Sequence, residues 1–263
     1  MKNIHRLLRL LRNGYNVLRH RHARILAYHS IAEVPADPWT ISPAQLDAHL
    51  QILHHQSFQV CSLDELVQRL ENKQDVSKQV CLTFDDAFRD FKDTALPILE
   101  AWNVPATVFV PVSKVGQYSD WSQYAPRRAL MGWDELESVL DAGVTLGSHG
   151  LDHLRLTKVS STLLQAEVEK SRDMLRRRLG INHLHFAYPY GASAQREQAA
   201  VQAAGYRSAV LFGGLWGNAA SGNRWALTRE SMMATLSEND FISILTGQRD
   251  WNELWNIIIQ YAK

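Results

Sequence analysis

The chain reads as an α/β fold, a parallel (β/α) barrel in a single domain, on three observations. Short apolar runs alternate with helical patterns along its length. The runs are nearly continuous in apolar residues, as strands covered on both faces are, rather than alternating apolar with polar. The residues able to carry chemistry stand where the runs end, the edge at which parallel α/β folds keep their sites. At 263 residues and 46% hydrophobic content, the chain can build one large core without dividing. About seven strand candidates can be counted, one short of a full eight.

Residues 1–24 differ from everything after them. They hold Lys2, Arg6, Arg9, Arg12, Arg19, Arg21 and Arg24 and none of the chain's 27 acidic residues. Ile4, Leu7, Leu8, Leu11, Tyr15 and Leu18 fall at helical spacing, so the segment is expected to be a basic amphipathic helix, with the barrel domain occupying 25–263. It lacks the apolar run of a secretory signal or a membrane span. Such a helix suits peripheral contact with an anionic membrane surface, and it equally suits packing across the barrel with its arginines in water. The expected location is cytoplasmic, with the inner face of the membrane as the place of contact.

The elements then follow in order. Arg24 to His29 is the first strand, with His29 at its end, where the imidazole could be a core histidine or a functional one. Ser42-Pro43 opens a helix by the cap-then-proline rule, running to about Gln56, with His49, His54 and His55 expected at the surface. Ser62-Leu63-Asp64-Glu65 starts a short helix to about Glu71. The strand Val80–Phe84 follows, then a helix over about Phe91–Trp102, a strand over Val104–Val110, and a helix over Trp133–Ala142. Between the last two, an irregular segment carries Tyr118, Trp121 and Tyr124, aromatic faces able to stack on sugar rings or simply to pack. A strand over Val144–Gly147, a long helix over Ser160–Leu179, a strand over His183–Phe186, a helix over Ala194–Ala204 and a strand over Ser208–Phe212 continue the alternation. A glycine-rich loop with Trp216, a late strand over Trp225–Arg229 and helices near Asp240–Thr246 and Trp251–Tyr261 close it. Cys61 and Cys81 sit in apolar contexts and read as buried thiols without a disulfide framework. A net charge of +1 gives no reason to expect a nucleic acid partner.

Three strand ends carry the chemistry. Asp85 and Asp86 close the run Val80–Phe84; two carboxylates so close repel and raise one pKa unless a cation lies between them, although an Asp here could also be an ordinary helix cap. Both can reach one pocket only if the backbone bends at this point, because neighbouring side chains of a strand face opposite ways. Ser148-His149-Gly150-Leu151-Asp152-His153 ends the run Val144–Gly147 and sets two imidazoles four residues apart, a spacing that places both on one face of a helical turn and suits a shared metal ion. Pro189-Tyr190-Gly191 ends the run His183–Phe186, and a loop of that composition can aim peptide N–H groups at a ligand.

These motifs resemble those of the polysaccharide deacetylase (NodB-homology) family: Thr83-Phe84-Asp85-Asp86 its first, Ser148-His149 with His153 its second, and Pro189-Tyr190-Gly191 the end of its third. The resemblance runs from about Arg24 to Met232 and implies an irregular (β/α)7 barrel, TIM-barrel-like in plan. It implies Asp85 as general base, Asp86, His149 and His153 as ligands of a divalent metal, and the Tyr190 N–H as donor to an oxyanion. Two positions depart from the pattern. The third motif often begins with an Arg that orients the base, where this chain has Ala187, and Arg229 is the substitute within reach of the reading. The family also commonly has a late histidine as general acid, yet none follows His185 here; Tyr28-His29 is similar to the early Tyr-His of the poly-N-acetylglucosamine deacetylase branch, which makes His29 the candidate.

The expected activity is therefore metal-dependent removal of the N-acetyl group from a sugar of a poly- or oligosaccharide such as those of the bacterial cell envelope. An Asp-His-His set suits Zn2+ first, with Co2+, Ni2+ or Mn2+ as alternatives. The other readings are deformylation or deacetylation of a lipid-linked or lipopolysaccharide sugar, motivated by the basic N-terminal segment, and a carbohydrate-binding barrel without turnover, motivated by Ala187 and the missing late histidine.

Overall fold

The structure, a computed structural model, describes residues 22–33, 37–121, 126–182, 184–213, 217–219 and 222–249. The N-terminal helix expected over 1–24 falls almost wholly outside these, as do the helix expected at 251–261, Tyr124 and Trp216.

In chain order the strands are β1 (Arg24–Tyr28), β2 (Ser30–Ile31), β3 (Thr40–Ile41), β4 (Gln59–Val60), β5 (Gln79–Phe84), β6 (Thr107–Val110), β7 (Thr145–Ser148), β8 (His185–Ala187), β9 (Ser208–Phe212) and β10 (Leu227–Ser231). Pairing runs β1-β10-β9-β8-β7-β6-β5, and β5 pairs back onto β1, so seven parallel strands close a barrel. The short β4 lies outside that ring, on the beginning of β5. A closed ring of seven explains why the sequence offered one strand fewer than eight.

Period-two alternation decides what each strand contributes. Ile25, Cys81, Phe109, Ala187, Val210 and Leu227 pack together in the barrel's interior. Their neighbours Leu26, Leu82, Val108, Leu146 and Phe186 face the outer core. There they meet the helices α1 (Pro43–His55), α2 (Leu63–Glu71), α3 (Leu96–Ala101), α4 (Trp133–Asp141), α5 (Ser161–Leu179), α6 (Gln195–Ala203) and α7 (Glu238–Leu245). α2 is the exception: its Leu63, Leu66, Val67 and Leu70 join the interior cluster and plug the barrel's N-terminal end. Gly147 has to be glycine, because a Cβ there would come within 2.6 Å of the Phe109 ring that fills the barrel beside it.

Several boundaries differ from the sequence reading. The strand expected over Val104–Val110 is only Thr107–Val110, since Pro105 cannot donate to a ladder. The helix expected from Phe91 starts as a π-helical turn, Phe91–Ala95, before α3; Pro97 has no N–H to bond back into that turn. The late strand lies at Leu227–Ser231 rather than Trp225–Arg229. His49 is not at the surface: it is 1% exposed, stacked on Phe241 of α7 with ring centroids 4.0 Å apart, while its Nδ1 meets the Tyr28 hydroxyl at 3.2 Å. Burial lowers its pKa to about 4, so it is neutral and belongs to the core. The two cysteines are buried and free, with Sγ atoms 3.7 Å apart.

The N-terminal end of the barrel also holds a polar cluster. The buried His185 places Nε2 3.2 Å from Asp64 Oδ1 and Nδ1 2.8 Å from Ser208 Oγ, and Arg207 pairs with the same carboxylate. The hydrogen bond from His185 lowers the Asp64 pKa, partial burial opposes this, and the His185 and Arg207 charges add to the lowering. A carboxyl whose folded pKa is depressed stabilises the fold above its unfolded pKa, about 3.9, and that contribution is lost as pH falls through the folded value. An Asp64→Asn protein should accordingly lose thermal stability less steeply than wild type between about pH 5 and pH 3. Parallel melting curves for the two proteins across that range would refute this.

Candidate active site

The functional side chains stand at the C-terminal ends of the strands, held there by extensions of the strand ladders. The Asp85 N–H donates to the Tyr28 carbonyl at 2.9 Å, and the His149 N–H donates to the Val110 carbonyl at 2.8 Å, so each residue prolongs its strand by one step and turns its side chain into the barrel. Immediately after Asp85 the chain bends: Asp86 (φ 73°) and Ala87 (φ 55°) both adopt left-handed backbone. That is the turn the sequence reading required, and it brings both carboxylates to one pocket. Strained φ values of this kind persist only where the surroundings enforce them, and they gather at functional sites.

The His149–His153 segment departs from expectation. It is a loop, not a helical turn, with Gly150 (φ 78°) and His153 (φ 57°) left-handed. The imidazoles converge all the same, with ring centroids 4.8 Å apart. His149 Nε2 lies 3.6 Å and His153 Nε2 3.3 Å from Asp86 Oδ1.

Asp85 faces Arg229. The guanidinium donates to both carboxylate oxygens, at 2.7 and 2.8 Å, and to Thr83 Oγ1 at 3.1 Å. Both residues are 1% exposed. Arg229 stands two residues after the inward-facing Leu227, between the rings of Phe109 and Phe212, whose centroids are 5.5 and 4.7 Å from its carbon. Ala187 also faces the interior, and its carbonyl accepts from His149 Nδ1 at 2.8 Å. The fork that grips Asp85 thus comes from β10, not from the end of β8.

Electrostatics follow from this packing. Burial pushes the Asp85 carboxyl upward, but the Arg229 and His149 charges together with the Arg229 hydrogen bonds hold it far below the usual carboxylate range. Burial acts likewise on Asp86, and the neighbouring His153 outweighs it, again leaving the carboxyl low. Burial lowers His149 to about 4, against the opposing pull of Asp85.

Asp86, His149 and His153 fit a divalent cation. One ligand atom from each lies within 4.8 Å of the others, and all three residues are buried. Asp86 Oδ1 is buried without a hydrogen-bond partner, an orphaned acceptor of the kind a cation satisfies. Because His149 uses its Nδ1 proton on the Ala187 carbonyl, its Nε2 is left with a lone pair toward Asp86.

The remaining candidates surround a cavity of about 710 Å3 that Asp85, Asp86, His149 and His153 also line. His29 is partly buried in its wall, 5.1 Å from Trp39 and 6.2 Å from Phe212 by ring centroids, and its Nδ1 has no hydrogen-bond partner. Tyr190 sits at the rim, 41% exposed, in a tight 3-10 turn with φ 60°. Its ring is 4.9 Å from that of His153, and the Arg155 guanidinium lies over it at 4.6 Å.

A polysaccharide deacetylase family model matches residues 72–209, just over half of the chain and all three motifs. The chain belongs to the polysaccharide deacetylase family. It is 24% identical over 187 residues to a putative polysaccharide deacetylase, YxkH, of Bacillus subtilis, covering 71% of this chain and 63% of that one. It is 23% identical over 162 residues to the poly-beta-1,6-N-acetyl-D-glucosamine N-deacetylase of Staphylococcus epidermidis, covering 58% of this chain and 54% of that one. The chain therefore spans about three-fifths of the length of such curated relatives. Among solved structures, the deacetylase PplD of Streptococcus pyogenes superposes with a TM-score of 0.74 at 24% identity, over 85% of this chain and 98% of that one. IcaB from Ammonifex degensii gives 0.74 at 18% identity, over 86% and 96%. This chain accordingly has the irregular seven-stranded barrel that its motifs implied.

Sequence reasoning missed parts of the pocket. Trp121 stacks on His153 at 4.3 Å, closer than an irregular aromatic segment suggested. Arg128 reaches across from the same segment to Asp37 at 2.7 Å, tying two loops together beside the cavity. Asp37 lies in a stretch that carries only Pro35 and Pro38 as loop signals, and no spacing rule links positions so far apart.

Proposed function

We propose that this chain is a divalent-cation-dependent hydrolase that removes the N-acetyl group from a sugar of a poly- or oligosaccharide, releasing acetate and a free amine. The observation that carries the reading is the juxtaposition, at one end of one barrel, of a carboxylate gripped by an arginine fork with an Asp-His-His set around an orphaned buried oxygen. A relative points to the same substrate class: the Staphylococcus epidermidis protein is named as a deacetylase of an N-acetylglucosamine polymer.

Asp86, His149 and His153 would hold the cation, with Zn2+ the first choice for that donor set and Co2+, Ni2+ or Mn2+ able to replace it. When bound, it polarises the acyl oxygen and lowers the pKa of a water from 15.7 toward about 7. Asp85 takes the proton from the attacking water as general base, and Arg229 fixes both of its oxygens so that the carboxylate cannot turn away. The Tyr190 N–H is the donor assigned to the oxyanion, presented by the left-handed turn at Pro189–Gly191. His29 delivers the proton that the departing nitrogen needs, since an amide anion is too poor a leaving group near neutral pH.

The assignment of His29 has its own test. His29→Gln should lower amide deacetylation about 10²- to 10⁴-fold while an activated aryl acetate, whose leaving oxygen needs no proton, is cleaved at close to the wild-type rate. Equal losses on both substrates would remove His29 from the role of acid. For the whole reading, wild-type protein is incubated with acetylated chito-oligosaccharides and new primary amine is measured. No amine in the presence of added zinc would leave a barrel that binds glycans without turning them over.

Residues 1–24 add a proposal about place: their basic, amphipathic pattern suits the anionic inner face of the membrane. Flotation with anionic vesicles should carry the full chain and not a chain lacking 1–24. Equal behaviour of the two would dismiss it.

A further inference from the structure

Glu167 is fully buried on α5 and has no part in the chemistry above. Its Oε2 accepts the N–H of Leu151 at 2.9 Å and of Asp152 at 3.0 Å, the two residues that precede His153. Its Oε1 has no hydrogen-bond partner. A carboxylate buried with so little compensation is costly to the fold, so its place needs a reason other than stability. The loop above it supplies one. Gly150 and His153 hold left-handed backbone outside any strand or helix; the Gly150 and Leu151 carbonyls accept from the Val112 and Ser113 N–H groups at 3.1 and 2.9 Å, but the Leu151 and Asp152 N–H groups turn to Glu167, and a Cβ on Gly150 would lie 3.1 Å from its Oε2. One helical turn further along α5, Ser171 receives a hydrogen bond from Ser148 Oγ at 2.9 Å, and Ser148 Oγ in turn accepts the Gly150 N–H at 3.2 Å. One face of α5 therefore supports the histidine loop at both of its ends.

We infer that Glu167 is a positioning residue for the cation ligands: by clamping two successive peptide N–H groups it sets the loop conformation that brings His153 to 3.3 Å from Asp86, and through it the affinity for a divalent cation. The inference rests on the proposed cation site and extends it to a residue that touches neither cation nor substrate. It turns on reach rather than charge, because both N–H groups converge on a single oxygen. Gln can put its amide oxygen in that place; Asp withdraws it by one methylene.

The test compares full-length wild type, Glu167→Gln and Glu167→Asp. Zinc affinity is measured by competition with a chromophoric chelator, and the cobalt-loaded proteins are compared by visible absorption. Glu167→Asp should bind zinc about 10- to 100-fold more weakly with an altered cobalt spectrum, whereas Glu167→Gln stays close to wild type in both. In parallel, hydrogen exchange of the metal-free proteins is read at the Leu151 and Asp152 amides. Both should exchange faster in Glu167→Asp while α5 stays protected. Wild-type protein that takes up no zinc would defeat the cation site, and the exchange rates would still report on the clamp. Equal zinc affinities in all three proteins, equal losses in both variants, or unchanged exchange at 151 and 152 in Glu167→Asp would overturn the inference.

Discussion

Asp85→Asn is expected to release acetate about 10²- to 10⁴-fold more slowly than wild type while still binding one equivalent of zinc. Asn keeps the volume and the hydrogen-bonding oxygen of Asp but cannot accept a proton from water, so the substitution removes the base and leaves its surroundings in place. The proposed cation ligands are untouched, because the Asp-His-His set uses Asp86 and not its neighbour. The substitution also leaves the Arg229 guanidinium buried opposite a neutral amide, so the melting temperature should fall. Rates are therefore compared at a temperature where both proteins are folded. Turnover at the wild-type rate would show that another group takes the proton, and Asp85 would have to be read as structural.

Arg229→Met carries the second large effect, on stability. The pair it breaks is wholly buried and bidentate, with each partner 1% exposed. Removing Arg229 leaves the Asp85 carboxylate buried without its fork, which costs about 3–5 kcal/mol and lowers the melting temperature of a domain this size by roughly 6–20 °C. Replacing both members, Arg229→Met with Asp85→Leu, should restore much of that loss, because the buried charge is then gone from both sides. Arg229→Lys should fall between, keeping the charge and losing the fork that holds both oxygens. A single Arg229→Met protein that melts at the wild-type temperature would mean that the buried pair adds nothing net to the fold and that the other neighbours of Asp85 suffice to hold its charge.

The barrel was legible because its strands are covered on both sides. Val80–Phe84 is apolar without alternation and is buried at every position in β5, and a run of that kind has few other readings. Asp86, His149 and His153 were legible as a group because each follows such a run, and strand ends in a parallel barrel converge on one face. What the sequence could not convey was how the chain turns after the strand. A spacing of four between the two imidazoles suggested a helical turn. The observed loop turns instead through a left-handed Gly150 and gives two of its N–H groups to Glu167 on the helix that follows. His49 was misplaced for a similar reason: its polar side chain looked like surface until Phe241 and Tyr28 closed over it from distant elements. Local pattern specifies which face a residue takes, whereas tertiary partners decide what covers it.

The proposed chemistry requires a cation among Asp86, His149 and His153, and titration of metal-free protein with zinc, followed at each point by acetate release from an N-acetylated oligosaccharide, tests this most directly. Activity should rise in step with zinc and level off at one equivalent, and Asp86→Ala and His149→Ala proteins should neither bind the ion tightly nor gain activity. Acetate release at full rate from chelator-treated protein, or tight one-to-one binding by Asp86→Ala, would contradict the account.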